Sequence, residues 1–336
     1  MKSPRHSPKH SPLRRSVLKA LGSAPLLAAM PHSAFAAYPD KPIRLIVPFA
    51  PGGNADIVGR LVATGMSQLL GQLVLVDNRA GAGGGVGAQQ AARAAPDGYT
   101  LLSGSNGPLT VNPFVLLNPG YDSLKDFAPI GMTSIVPHAL VVNPAVTART
   151  VAELVELSKR QQVGIATSGI GSATHLTLER FNAQTGAKLL HVPYKSGGAM
   201  LPDIIGGTIE GAMTEFSSAL PQHRAGKLRF IAVASARRSE LAADVSTMIE
   251  GGVKDFVAGS YIGILAPTGV PADVIARLQS ALTATLRAPA TLAKFKELGA
   301  EMATAEQMTP AGFGAFIRQD YENSREAARI AGIKKE

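Results

Sequence analysis

The chain has no cysteine and no tryptophan among its 336 residues, and aromatic side chains make up only 5% of it. Without cysteine there is no disulfide, no thiol nucleophile, no thiolate-held zinc and no lipid-anchor cysteine. Histidine is sparse as well. His138, His175, His191 and His223 stand singly beyond residue 36, with no H-x-x-x-H pair to suggest a metal. The apolar run from Ala20 to Met30 is too short to cross about 30 Å of hydrocarbon. No Lys/Arg cluster with interleaved aromatics occurs either, so the formal charge of +9 says little about nucleic acid.

Much of that charge sits in one place. Residues 1–36 carry Lys2, Arg5, Lys9, Arg14, Arg15 and Lys19 with no acid, then the apolar run, then the small-residue site Ala34-Phe35-Ala36. Basic, apolar and A-x-A elements in that order predict a secretory signal peptide. The Arg14-Arg15 pair further resembles a twin-arginine signal, which exports proteins already folded. Beyond residue 36, 27 basic residues face 24 acids, so the exported chain is close to neutral. Its 300 residues exceed what one core usually holds, and two domains are expected.

After Pro39, short β-branched runs alternate with amphipathic stretches. Strands are expected at 43–49, 73–78, 100–103, 135–143, 163–167, 189–192, 209–213, 230–235 and 261–266. Helices are expected at about 55–70, 87–94, 151–159, 174–185, 199–206, 217–225, 272–286 and 310–331. Thr150-x-x-Glu153 reads as a capping box and Pro271 suits a helix start. Such alternation implies parallel or mixed sheets covered by helices, with ligands at the carboxyl ends of the strands. The absence of an internal linker argues for a chain that crosses between lobes more than once, at Ile135–Asn143 and Tyr261–Pro267.

Four strand-to-helix turns share one character. In "PFAPGGNADIVGR" (48–60) the pair Gly52-Gly53 is followed by Asn54, Ala55 and Asp56, without the lysine that a phosphate-binding loop needs. "NRAGAGGGVGA" (78–88) contains G-x-G-x-x-A at Gly83, Gly85 and Ala88, yet the next strand ends in Ser103-Gly104-Ser105-Asn106, with no acid for a ribose hydroxyl. Either close packing or a ligand accounts for its glycines. Residues 78–88 stand apart from the four; "SGSNG" (103–107), "TSGIGSATH" (167–175) and "PYKSGGA" (193–199) join 48–60 to make them up. Together they suggest a polar pocket lined by helix N-termini, which suits a carboxylate: several N–H donors and partial positive charge. A serine hydrolase is the rival reading, because Ser168, Ser172 and His175 are neighbours, but no G-x-S-x-G elbow is present. Lys195 either pairs with an anion or sits on the rim.

Seven ordered blocks carry a resemblance: "YPDKPIRLIVPFAPGGNADIVGRL", "LVLVDNRAGAGGGVGA", "AAPDGYTLL", "YDSLKDFAPIGM", "ATSGIGSATHL", "HVPYKSGGAMLPDIIGG" and "APTGVPADVIARL". From Tyr38 onward the chain resembles the Bug family, periplasmic solute-binding proteins of tripartite tricarboxylate transporters. The resemblance implies an α/β, type II periplasmic binding protein-like fold: two lobes with mixed sheets flanked by helices, and a ligand cleft between them. It places lobe 1 at 37–138 and 261–336, and lobe 2 at 139–260. The implied pocket falls on Phe49, Gly52, Gly53, Asn54 and Asp56, on Ser103 and Asn106, on Ser168, Gly169, Ser172 and His175, and on Tyr194, Lys195 and Gly197. Glu215 joins them as a departure from the family, which often has Asp-Asn at Thr214-Glu215. It either faces the cleft, disfavouring a second acidic group or selecting an amine, or is a solvated acid at a helix start.

The resemblance and the donor-rich turns together lead to the expectation of a periplasmic, non-enzymatic receptor. It would capture a small organic acid by lobe closure and dock on membrane permease subunits or a sensor. No cofactor, metal or nucleic acid is implied, and a monomer is expected. The alternatives are a periplasmic hydrolase or lyase acting on carboxylates and a receptor for signalling alone.

Overall fold

The computed structural model describes Met1, Ser3, Pro4 and residues 38–335. Apart from those first three, the expected signal peptide lies outside the described residues.

Strands β1 (Ile43–Val47), β2 (Val74–Asn78) and β3 (Thr100–Ser105) run parallel and are joined through α1 (Asn54–Leu70) and α2 (Gly85–Ala92). Four of the five residues of β1 are buried, as expected for a parallel strand covered on both faces. Helix α1 presents Val58, Val62 and Met66 to the core at helical spacing and stops at Gly71, whose φ of 69° is the left-handed value that glycine adopts without strain. Antiparallel to β3 lies β9 (Gly259–Pro267), and antiparallel to β9 lies β4 (Phe127–Val142).

Strand β4 changes partners along its length. Phe127–Pro137 pairs with β9, whereas His138–Val142 pairs with β7 (Gly211–Glu215) and β8 (Arg229–Val233). Beyond β7 lie β5 (Gly164–Thr167) and β6 (Leu190–Pro193), both parallel to their neighbours. The order is β2-β1-β3-β9-β4-β7-β5-β6, with β8 and β10 (Glu301–Met302) also on β4. Helices α4 (Val151–Arg160), α5 (Ala173–Thr185), α6 (Gly197–Ile205) and α7 (Phe216–Arg224) cover the second part of the sheet. The first part carries α8 (Ala272–Arg287), α9 (Pro289–Glu297) and α10 (Pro310–Ile330).

Each part has its own apolar interior. Leu45, Leu102, Ile264 and Leu282 belong to one around β1, β3 and β9. In the second part, Leu140, Ile165 and Met213 pack on one face while Ala139, Ala166 and Ala212 pack on the other, because alternate residues of a strand point to opposite sides.

The α/β class and mixed sheet agree with the sequence. Several elements differ. Strand β4 starts at Phe127, not Ile135, because register shifts at Pro129–Gly131 and Met132–Ser134 absorb residues that read as strand breakers. A helical turn at Gly107–Val111 running into α3 (Asn112–Val115), and the whole of α9, were not foreseen; Pro108, Pro113 and Pro289 stand in their first turns, where the missing N–H costs nothing. Half of the capping box is present: Thr150 Oγ1 accepts from Glu153 N at 3.2 Å, while the Glu153 side chain reaches one residue further back, to Arg149 N at 2.7 Å.

Candidate functional site

Three of the strand-to-helix turns and the end of β3 converge on a narrow, partly open cavity. The β1–α1 turn is the most firmly built. Asp56, buried one turn into α1, accepts from Gly52 N at 3.1 Å, from Arg60 at 2.9 Å and from Asn78 Nδ2 at 2.9 Å, and Asn78 in turn donates to Phe49 O at 3.0 Å. Burial works to raise the Asp56 pKa, but hydrogen bonds from Arg60, Asn78 and Gly52 outweigh it and hold the carboxyl below its usual range. Gly52, at φ 83°, makes the turn possible. Gly53 precedes α1 without a side-chain cap. The N–H groups of Asp56 and Ile57 bond to Gly53 O, while those of Asn54 and Ala55 belong to the orphan donors of a first helical turn, and both residues line the cavity.

The β5–α5 turn is built from neutral groups. Ser172 caps α5 by accepting from His175 N at 3.1 Å, and Thr174 Oγ1 accepts from Ser168 N at 3.0 Å. Behind it, the His175 ring accepts from Gly171 N at 3.3 Å and stacks on His191 at 4.1 Å. Burial first, and the neighbouring His191 second, push the His175 pKa down to about 3, so this ring is neutral and structural. At the β6–α6 turn, Ser196 caps Ala199 N at 3.1 Å.

The turns touch. Ala50 N donates to Lys195 O at 3.2 Å, and a Cβ on Gly198 would stand 2.6 Å from Gly52 C. Gly83 has the same role on the other side, where a Cβ would lie 2.4 Å from Gly171 C. Close backbone approach therefore accounts for the central glycine of residues 81–87.

Of the anticipated residues, Phe49, Gly53, Asn54, Ser168, Ser172, Gly197 and Glu215 line the cavity. Gly52, Asp56, Gly169 and His175 support its turns from behind. Lys195 is exposed and contributes its carbonyl, and Tyr194 donates its hydroxyl to Asp203 at 2.5 Å. Ser103 is buried toward α1, where a Cβ on Gly59 would lie 3.8 Å from its Oγ. Asn106 binds Tyr261 N at 2.9 Å, on the far side of β9 from the cavity floor. In their place β3, two residues longer than expected, brings Ser105, followed by Gly107.

Glu215 ends β7 and is 9% exposed, which removes the reading of it as a solvated helix-start acid. Among the described residues it is the one ionisable side chain lining the cavity, and burial raises its pKa above the usual carboxyl value. Ser260 and Ile262 of β9 complete the floor. Nothing in the sequence flagged these two: they are an ordinary serine and isoleucine in a strand. Ser196 was findable, since a serine three residues before the first helical apolar position is a cap signal.

Two buried polar groups in the lining have no hydrogen-bond partner among the described residues: Asn54 Nδ2 on α1 and Ser168 Oγ at the end of β5. Such groups cost free energy unless something binds them. Among the described residues no cluster of three metal-ligating side chains occurs. The cavity thus offers neutral donors at two helix N-termini, a chemistry that receives a carboxylate through hydrogen bonds and partial charges.

Comparison with known proteins bears on this geometry. The family profile described as tripartite tricarboxylate transporter family receptor matches residues 58–325. Protein BugT of Bordetella pertussis is 36% identical over 300 residues, covering 88% of this chain and 91% of BugT. Among solved structures, periplasmic binding protein BugD superposes with a TM-score of 0.86 at 34% identity, over 89% of this chain and 100% of its own. Rpa4515 of R. palustris, solved with adipate, superposes with a TM-score of 0.85 at 30% identity, over 89% of this chain and 100% of its own. The fold is that of a periplasmic binding protein.

Proposed function

We propose that this chain, which belongs to the tripartite tricarboxylate transporter receptor family, captures a small organic carboxylate in the cavity between the two parts of its sheet and delivers it to membrane permease subunits. The carrying observation is the pair of buried, unpartnered groups Asn54 Nδ2 and Ser168 Oγ, set at the starts of α1 and α5. A carboxylate between them would accept from Asn54 Nδ2, from the Ser168 hydroxyl and from the free N–H groups of the first turns. The adipate in the Rpa4515 structure shows that a relative of this fold accepts a carboxylate.

The action we infer is periplasmic and rests on the architecture. The two parts of the sheet meet along β4 and β9, and the turns of each part, 49–53 against 195–198, touch across the cavity. Opening would separate those contacts, and an acid that bridges them shifts the population toward the closed form. We place the first lobe at 37–138 and 261–336 and the second at 139–260, so that the partner change in β4 at Pro137–His138 is the hinge. Gly52, Asp56, Gly169 and His175 then form the frame behind the lining. The protein acts as a monomer, with closure as its signal to the permease.

One contact favours the rival enzymatic reading: Ser260 Oγ lies 2.8 Å from His138 Nε2. Its chemistry is wrong for a nucleophile. Burial, reinforced by Arg180, pushes His138 down to about 3, and its other nitrogen meets a threonine instead of a carboxylate. A receptor without turnover is the better account.

Thermal-shift screening of the exported chain against small acids tests the proposal, since a ligand at 100 times its Kd adds about 2.7 kcal/mol. Gly53→Asp has an ordinary φ of −86° to occupy, and its Cβ would meet Gly197 N at 3.4 Å, so the fold tolerates it. This variant and Ser168→Asp are expected to abolish the shift by putting a negative charge among the donors. Equal binding by parent and both variants overturns the site, and consumption of the acid overturns the receptor reading.

A further inference from the structure

Glu215 is the end of a line of close contacts that crosses the sheet. Thr177 Oγ1 is 2.9 Å from Ala173 O and 2.8 Å from His138 Nδ1. His138 Nε2 is 2.8 Å from Ser260 Oγ, which is 3.2 Å from Glu215 Oε1. Four such contacts in series need four hydrogens. The hydroxyls of Thr177 and Ser260 supply one each and a neutral imidazole supplies a third. The fourth sits either on Glu215 or on His138 as a second ring proton. His138 is 1% exposed in an apolar strand and resists a charge. One assignment satisfies every contact: Thr177 donates to Ala173 O, His138 Nδ1 to Thr177, Ser260 to His138 Nε2, and Glu215 to Ser260.

The other carboxyl oxygen faces a nook over Gly197. A Cβ on that residue would stand 2.9 Å from Glu215 Oε2, 3.1 Å from Thr214 Oγ1 and 3.3 Å from Ser218 Oγ. Both of those hydroxyls are buried; Ser218 Oγ has no partner among the described residues, and the Thr214 hydroxyl stands close enough to the Glu215 carboxyl to oppose the upward push of burial. Three polar atoms thus aim at a point that only glycine leaves open, in the lining of the cavity. Around Glu215 the packed elements supply Thr214 from β7, Ser218 from α7, Gly197 from α6, Ser260 from β9 and, through Ser260, His138 from β4. His138 is the one titratable side chain among them, and Arg180 of α5 bears on His138. Glu215 precedes α7, where its carboxyl makes no cap bond, and its own backbone N–H only partly opposes the upward push of burial.

We propose that Glu215 stands in the cleft as a neutral carboxylic acid whose proton is held by Ser260, and that it determines specificity there. Its Oε2, with Thr214 and Ser218, receives a hydroxyl or amide group on the captured acid. A hydroxyl fits because it donates to Oε2 and accepts from the two side-chain hydroxyls. An ionised carboxylate at this nook has no hydrogen to give to Oε2 and is disfavoured at that point, though not elsewhere in the cleft. The inference rests on the receptor reading for its ligand but not for its proton.

Two measurements separate those parts. In protein labelled at the glutamate side-chain carboxyl carbon, one resonance is expected to keep the neutral-acid shift at pH 7 and to vanish in Glu215→Gln. Glu215→Asp removes the same signal if the first variant fails to fold. A Glu215 resonance that titrates in the ordinary carboxylate range overturns the proposal whatever binds. The second measurement uses matched acids with and without a hydroxyl: malate against succinate, and citrate against tricarballylate. The parent is expected to prefer the hydroxy acid tenfold or more, and its affinity for both members of a pair is expected to fall as pH rises and Glu215 ionises, because the new negative charge repels either acid. Gly197→Ala, which fills the nook, is expected to erase the preference, and Glu215→Gln to erase the fall in affinity with pH. Equal affinity for both members of each pair in the parent overturns the specificity role. If the neutral-acid resonance is present but no acid binds, the receptor reading fails and the proton assignment stands.

Discussion

The β1–α1 and β5–α5 turns do the same task with opposite chemistry. Both leave main-chain donors at a helix start facing one cavity. The first is tied down by a buried carboxylate, Asp56, that binds Arg60, Asn78 and Gly52 N. The second is tied down by hydroxyls and a stacked pair of neutral imidazoles. An anion-binding site tolerates a carboxylate in its frame only when the charge is fully paired and turned away from the ligand. Asp56 meets that condition, because its two oxygens are occupied behind the turn. On the β5 side the holding is done by hydroxyls and neutral rings instead.

The comparison breaks most sharply at Asp56. Its replacement by Ala leaves the Gly52 N–H and the Asn78 amide without acceptors, and a loss of about 3 kcal/mol of unfolding free energy is expected in urea titration. The carboxylate shift in melting point should go with it. A loss below about 1 kcal/mol would show that the turn is held by Gly52 and its prolines alone.

Acid titration sharpens the difference. His138 and His175 have folded pKa values pushed down to about 3, so the unfolded chain binds protons that the native one refuses. Stability is complete above the unfolded histidine pKa near 6.5 and is lost as pH falls toward 4. The slope is about 1.4 kcal/mol per pH unit for each of the two, with less from the half-buried His191. Asp56, with its lowered pKa, gives way only below the unfolded aspartate value near 4. Urea midpoints measured from pH 7 to 4 should therefore decline through the β5–α5 side first, and His175→Gln should flatten that decline. A flat profile down to pH 4 would mean that these rings are charged in the native state.

The smallest effect belongs to the caps. Ser172→Ala removes the acceptor of His175 N and should cost about 1 kcal/mol. Ser196→Ala should cost the same at α6. A much larger loss at Ser172 alone would make it part of the His175–His191 support and not simply a cap.

Much of this was legible beforehand where the physics is local. Asn54, Ser168, Ser172 and Gly197 were found because a glycine- or hydroxyl-rich turn before an amphipathic stretch is a short-range signal. Asp56 and His175 were placed in the site for the same reason, and proximity in sequence could not separate a residue that faces the ligand from one that braces the turn behind it. Asn106 is a position that the family resemblance implies; β3 runs on to Ser105, which reaches the lining, while Asn106 turns to Tyr261 N. The first half of β4 was hidden by Pro129 and Gly131, which its register shifts accommodate.

From its order of residues alone this protein was bound to alternate strand and helix, to expose main-chain donors at several helix starts and to lack metal-binding cysteine, since propensity, capping and composition act within a few residues. What the tertiary structure decided was which oxygen meets which hydrogen. His138 and Ser260 are 122 residues apart and Ser260 and Glu215 are 45 apart. Only the packing of β9 between β3 and β4, and of β4 against β7, brings them into one line. Whether the acid at 215 carries a proton depends on that line and on burial, and neither exists until the chain has folded.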